Sequence, residues 1–134
     1  MSTKSYLFSL DLKVRDYECD LQGVVNNANY QHYMEHTRHE FLESLGVNFG
    51  KMHEDGLDAL VTKVSISYKK SLRSGDFFRS ALRCEMHPPK LVFYQDILHT
   101  DGTMAAHGEV ECVVVQDGRL TRGEFFANLL KDVL

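Results

Sequence analysis

Between Tyr17 and Tyr30 the chain reads Y-E-C-D-L-Q-G-V-V-N-N-A-N-Y, setting one carboxylate beside a run of asparagines. Asp20 stands three residues before Gly23, a turn signal, and Asn26, Asn27 and Asn29 follow at the head of a helical pattern. An acid next to a helix N-terminus has a defined chemistry. The carboxylate can take a proton from water or attack a carbonyl itself. Free backbone N–H groups at the helix end can hold the charge that develops on the carbonyl oxygen. Each asparagine also suits the N-cap, a role compatible with a backbone amide that binds substrate. Gly23 serves either as a plain turn residue or as one that lets backbone approach a ligand closely.

Two other arrangements invite chemistry. His32, Glu35 and His36 form an H-x-x-E-H pattern with His39 nearby, a spacing that can share a metal on one helix face. Polar residues on the outer face of an amphipathic helix account for the same pattern, and no metal site is expected. Cys19 adjoins Asp20, but a nucleophilic cysteine needs a lowered pKa and a positioned base. If residues 6–18 continue as a strand, Cys19 and Asp20 point opposite ways, and the thiol is read as inert.

The elements that must position these residues follow from periodicity. Tyr6, Phe8, Leu10, Leu12 and Val14 alternate with Ser9, Asp11, Lys13 and Arg15, the mark of a half-buried strand. After Gly23 the period lengthens. Tyr30, Tyr33, Met34, Thr37, Phe41, Leu42 and Leu45 share one stripe, with Glu35, Arg38, Glu40 and Glu43 away from it, predicting a helix of about 16 residues that stops at Gly46. Residues 47–56 read as a connection with one short helical turn. Strand patterning then returns in four segments: Leu60, Thr62, Val64, Ile66 and Tyr68 on one face; Phe78, Ser80, Leu82, Cys84 and Met86; Leu91 to Thr100; and Met104 to Val115. Ser74-Gly75, Pro88-Pro89, Asp101-Gly102 and Asp117-Gly118 punctuate them. From Glu124, the residues Phe126, Leu129, Leu130 and Val133 recur at helical spacing. Strands joined by short turns form an antiparallel sheet, and the long helix must cover one face of it. The fold class is α+β.

Bulk properties narrow the function. The 134 residues suit one domain, 1–134, with a genuine core. A net charge of −4 excludes nucleic acid as the main partner while leaving room for a local basic patch. No apolar run approaches the roughly 18 residues of a membrane span. The opening M-S-T-K-S-Y-L-F lacks the apolar core of a secretory leader. Three widely spaced cysteines, Cys19, Cys84 and Cys112, without C-x-x-C, suit reduced thiols and a cytoplasmic location.

The stretch D-L-Q-G-V-V-N-N-A-N-Y, from Asp20 to Tyr30, resembles the signature of hotdog-fold thioesterases of the 4-hydroxybenzoyl-CoA thioesterase / YbgC-like group. S-Y-K-K-S-L-R-S-G-D, from Ser67 to Asp76, resembles that family's second strand and following turn, and the element order agrees along roughly residues 5 to 133. The resemblance implies a curved antiparallel sheet of about five strands wrapped around one long helix. It implies hydrolysis of an acyl thioester, of coenzyme A or of acyl carrier protein, with no cofactor beyond the coenzyme A of the substrate. Asp20 would be general base or nucleophile, and the Asn27 amide would bind the thioester oxygen. Gly23, Val24, Val25 and Tyr30 would lie against substrate. Many relatives carry histidine where this chain has Asn27, a departure that spares the backbone donor. Lys69, Lys70, Arg73 and Lys90, the basic residues nearest the predicted strand ends, either form a solvated rim or, as a group, meet the phosphates of coenzyme A. Tyr30, Tyr33, Phe41, Phe77, Phe93 and Tyr94 either line an aromatic pocket or fill the core. Family members assemble as dimers or dimers of dimers, so a homodimer or homotetramer is expected. The alternative on the same fold is an acyl- or CoA-binding protein without catalysis.

Overall fold

The computed structural model describes residues 5–134; the first four residues of the leader reading lie outside them. The strands are β1 (Phe8–Lys13), β2 (Leu57–Tyr68), β3 (Phe77–His87), β4 (Lys90–His99), β5 (Met104–Gln116) and β6 (Arg119–Leu120). Three helices accompany them: α1 (Asn27–Ser44), α2 (Phe49–Glu54) and α3 (Glu124–Leu130). The sheet runs β1-β3-β4-β5-β2, with β6 paired to the end of β5, and the pairings are antiparallel. The order follows from the connections: turns of two to four residues join β3, β4 and β5, whereas β1 and β2 flank long segments and end up at the edges. This is the hotdog arrangement, with α1 as the enclosed helix.

Helix α1 is anchored by both apolar and polar contacts. Tyr30, Tyr33, Met34, Thr37, Phe41 and Leu42 are buried as the periodicity requires. Phe41 meets Phe93 of β4 edge-on at 6.4 Å, and the Thr37 hydroxyl lies 2.6 Å from that of Ser80 on β3. Gly108 of β5 permits the closest approach, since a Cβ there would sit 2.6 Å from the Met34 sulfur. Gly46, at φ +92°, ends the helix in a Schellman motif, with N–H bonds from Gly46 to the Glu43 carbonyl and from Val47 to that of Leu42.

Three expectations are corrected, and the condition set for Cys19 and Asp20 is not met. The strand that begins the chain does not run on to residue 18; Asp16–Glu18 is a 3-10 turn, closed by the Glu18 carboxylate accepting from the Arg15 N–H at 2.7 Å. Arg38 is not on the outer face but 6% exposed, because it falls between Met34 and Phe41 on the stripe and finds Gln95 to bond. In β2 the alternation changes phase: the register slips between Val61 and Lys63, leaving Thr62 as a bulge. Leu57 and Ala59 therefore face the core with Val64 and Ile66, and Leu60 points away, 47% exposed. Last, α3 stops at Leu130. Phe126 and Leu130 are buried, but Val133 lies beyond the helix and is 39% exposed.

Candidate active site

Asp20 opens a tight hairpin. Its N–H donates to the Val24 carbonyl at 2.9 Å, its carbonyl accepts from Gly23 at 3.0 Å, and Cys19 bridges Val25. Gly23, at φ +78°, supplies the left-handed residue the turn demands. The carboxylate folds back on its own turn, with Oδ1 accepting from the Gln22 N–H at 2.9 Å and the Val24 N–H at 3.4 Å. Oδ2 makes no hydrogen bond among the described residues, and Asp20 is exposed. One oxygen is fixed and the other is free to act.

The same hairpin feeds directly into α1. Asn26 is the N-cap, its side chain accepting from the Ala28 N–H at 2.9 Å. Asn27 is the first helical residue, and its N–H has no acceptor among the described residues. That leaves a backbone donor at the positive end of a helix 18 residues long. Tyr68, at the end of β2, reaches over this position, its hydroxyl 3.4 Å from the Asn27 carbonyl.

A set of buried polar residues holds hairpin and helix together, and sequence reasoning missed most of it. Glu18 is 8% exposed, and its Oε1 accepts from the Tyr33 hydroxyl at 2.8 Å as well as from Arg15. The Glu18 carbonyl accepts from the Asn26 N–H at 3.0 Å and from Asn29 Nδ2 at 2.8 Å. Asn29 is thus neither cap nor solvent-facing; it ties the helix to the turn before Asp20. Burial, reinforced by the Glu18 carboxylate, raises the Tyr33 pKa, so the hydroxyl stays a donor. Tyr30 is 2% exposed, and its hydroxyl accepts the Leu72 N–H at 2.9 Å. It is a core residue under the site rather than a residue of an open aromatic pocket.

The segment 69–76 forms the other bank. Val24 bridges Arg73, and the Val25 N–H donates to the Leu72 carbonyl at 2.9 Å. Lys69 and Lys70 bond backbone to the Ala105 and Met104 carbonyls, and His99 Nε2 meets the Lys70 carbonyl at 2.8 Å. Val24, Val25, Lys69, Lys70 and Arg73 therefore gather at the Asp20 end of the fold. Lys90 does not. It opens β4 at the opposite end of the sheet, opposite His87, and pairs with Glu111 at 2.8 Å. A strand end is a place in sequence, but an antiparallel sheet has two ends in space.

Cys19 is partly buried. Burial first, then the carboxylates of Asp16, Asp20 and Glu18, raises its pKa, the reverse of what a nucleophile needs. His32, Glu35 and His36 are exposed on α1, with His32 Nδ1 3.1 Å from Asn29 Oδ1 and His36 Nε2 3.9 Å from Glu40. His39 lies against Phe49, the ring centroids 5.0 Å apart and the planes tilted by 46°.

The model of the Thioesterase-like superfamily matches residues 14–128, which takes in the Asp20 hairpin, α1 and the 69–76 segment. The chain belongs to that superfamily. Over 74 residues, 55% of its length, this member is 46% identical to the chloroplastic acyl-acyl carrier protein thioesterase ATL3 of Arabidopsis thaliana. It spans 39% of that relative's length. Among solved structures, a hypothetical protein from Aquifex aeolicus is 29% identical with a TM-score of 0.84, over 92% of this chain and 98% of that one. The 1,4-dihydroxy-2-naphthoyl-CoA thioesterase of Synechocystis shares the fold at a TM-score of 0.86 with 14% identity, over 94% of this chain and 96% of that one. No helix among the described residues of this superfamily member is long and apolar enough to cross a membrane.

Proposed function

We propose that the chain hydrolyses acyl thioesters of coenzyme A, in the manner of the 4-hydroxybenzoyl-CoA thioesterase / YbgC-like group. The observation that carries this reading is the join between the Asp20 hairpin and the N-terminus of α1, where one carboxylate oxygen and the Asn27 N–H are both uncommitted. The thioester oxygen lies on the Asn27 N–H. Asp20 either takes a proton from the water that attacks the carbonyl carbon or attacks it directly, giving an anhydride that water then opens. The tetrahedral oxyanion is held at the helix end and collapses by expelling the thiolate, which takes up a proton. Lys69, Lys70 and Arg73 lie where they can meet the phosphates of the leaving thiol.

The scheme uses no metal or redox cofactor. Each copy acts within a homodimer or homotetramer, a reading supported by edge strand β2, which presents unpaired backbone and the exposed side chains of Leu60 and Val61. A second reading, an acyl carrier protein as the thiol donor, is favoured by the likeness to ATL3 and by the basic 69–76 segment. Parallel assays of thiol release from acyl-CoA and from the same acyl group on carrier protein decide between them. Higher kcat/KM on acyl-CoA supports the proposal, and release from the carrier alone moves the assignment to the second reading. Binding of both without release would make the chain a thioester-binding protein.

A further inference from the structure

A cavity of about 320 Å³ lies between the end of β1 and helix α1. Lys13 and Arg15 line it from the strand side, His32, Tyr33 and His36 from the helix, and Glu18 from the turn between; Leu12 is its one aliphatic residue. His32 and His36 stand four apart and so share one face of α1. They belong to the H-x-x-E-H pattern, but its Glu35 does not line this cavity. Two permanent cations, Lys13 and Arg15, stand there instead. They oppose a metal ion and favour an anion.

Glu18 is the one carboxylate in the lining, and the protein already occupies it. Its Oε1 accepts from the Arg15 N–H at 2.7 Å and the Tyr33 hydroxyl at 2.8 Å, and its Oε2 from Arg15 Nη1 at 3.4 Å. That last bond is long. The other guanidinium N–H groups of Arg15, whose side chain is 65% exposed, have no acceptor among the described residues. Lys13 has no ion pair among them either; its ammonium lies 5.5 Å from the centroid of the Phe77 ring. Asn29 fixes His32. Asn29 Nδ2 donates to the Glu18 carbonyl at 2.8 Å, so Oδ1 is the acceptor and His32 Nδ1, 3.1 Å away, is the donor. His32 Nε2 is left without a partner among the described residues. His36 Nε2 stands 3.9 Å from Glu40 Oε1, beyond hydrogen-bonding distance.

We propose that this cavity binds a phosphate monoester. Such a group presents three terminal oxygens and so meets donors from several directions, where a carboxylate presents two. Lys13 and Arg15 supply the charge, Arg15 through a planar fork that matches the group, and the two imidazoles supply ring N–H donors. Two sources carry this chemistry: the ribose 3′-phosphate of coenzyme A, and a free organic phosphate that binds apart from the thioester. The first source rests on the thioesterase reading above. The site itself does not.

The test is calorimetric titration with phenyl phosphate and benzoate, then with coenzyme A and 3′-dephospho-coenzyme A. Wild type is compared with Lys13→Gln, Arg15→Gln and Lys51→Gln. Arg15→Gln keeps the backbone N–H that holds Glu18, and Lys51→Gln removes a cation on α2, outside the cavity. Wild type should bind phenyl phosphate saturably and more tightly than benzoate. Lys13→Gln and Arg15→Gln should each weaken phenyl phosphate by about tenfold, the scale of one hydrogen bond to a charged group, and Lys51→Gln should leave it unchanged. No saturable binding, tighter binding of benzoate, or equal affinity in all three variants would overturn the proposal. The coenzyme pair names the source. A preference of about tenfold for coenzyme A over its 3′-dephospho form, erased by both cavity variants, assigns the site to the substrate. Phenyl phosphate binding with no such dependence assigns it to a separate organic phosphate. Thiol release from an acyl-CoA, measured alongside, reports on the thioesterase reading separately.

Discussion

The Tyr33 hydroxyl donates to Glu18 Oε1 across 2.8 Å, joining the second turn of α1 to the 3-10 turn just ahead of Asp20. Both residues are more than nine-tenths buried, so the bond operates away from water, where a charged acceptor strengthens it. It fixes the approach of the hairpin to the helix, and with it the distance between the carboxylate and the Asn27 amide.

Tyr33→Phe removes only that hydroxyl. Unfolding in urea should show a loss of about 1–3 kcal/mol, the range for a hydrogen bond to a charged group. Turnover should fall while KM for the thioester is kept, because the hairpin is displaced rather than the binding surface. Unchanged stability would mean that Arg15 alone holds Glu18.

The role given to Asn27 separates backbone from side chain. Asn27 is the first residue of α1, where proline is tolerated, and Asn26 already has φ −63° and ψ 139°, the conformation that precedes proline. Asn27→Ala should retain turnover within about threefold, and Asn27→Pro, which deletes the N–H, should lose about 10²–10³-fold in kcat. Equal activity of the two variants would remove the amide from the mechanism.

Burial pushes the Cys84 thiol from its ordinary 9.0 up to about 12. The folded state therefore holds the neutral thiol more firmly than the unfolded chain does. The corresponding stability is fully present below pH 9 and is lost as pH rises toward about 12. Urea midpoints measured at pH 8 and at pH 10.5 should drop further for wild type than for Cys84→Ala. Parallel drops would show that other groups carry the alkaline sensitivity.

Periodicity made the central helix and the order of strands legible, because an enclosed helix and a half-buried sheet each impress their period on apolar residues. The Asp20–Tyr30 stretch was legible for a different reason: turn, cap and acid are all local. What the sequence hid was set by contacts distant along the chain. Arg38 reads as a surface cation until Gln95, on another strand, is known to face it. Thr62 reads as an in-phase strand residue, since a bulge depends on pairing with Cys112 and Glu111 rather than on its own type. Glu18 carries little signal because the Tyr33 that buries it lies on the far side of the turn. Lys90 was misplaced because a strand end alone does not say which end of the sheet it occupies.

Asp20 carries the chemistry in this account, and replacing its carboxylate by an amide tests that most directly. Asp20→Asn keeps the size of the side chain and the oxygen that accepts from the Gln22 N–H. Thiol release from an acyl-CoA panel, wild type beside the variant, should show kcat reduced by about 10²–10⁴-fold with thermal stability preserved. A folded Asp20→Asn protein with near-wild-type turnover would contradict the account.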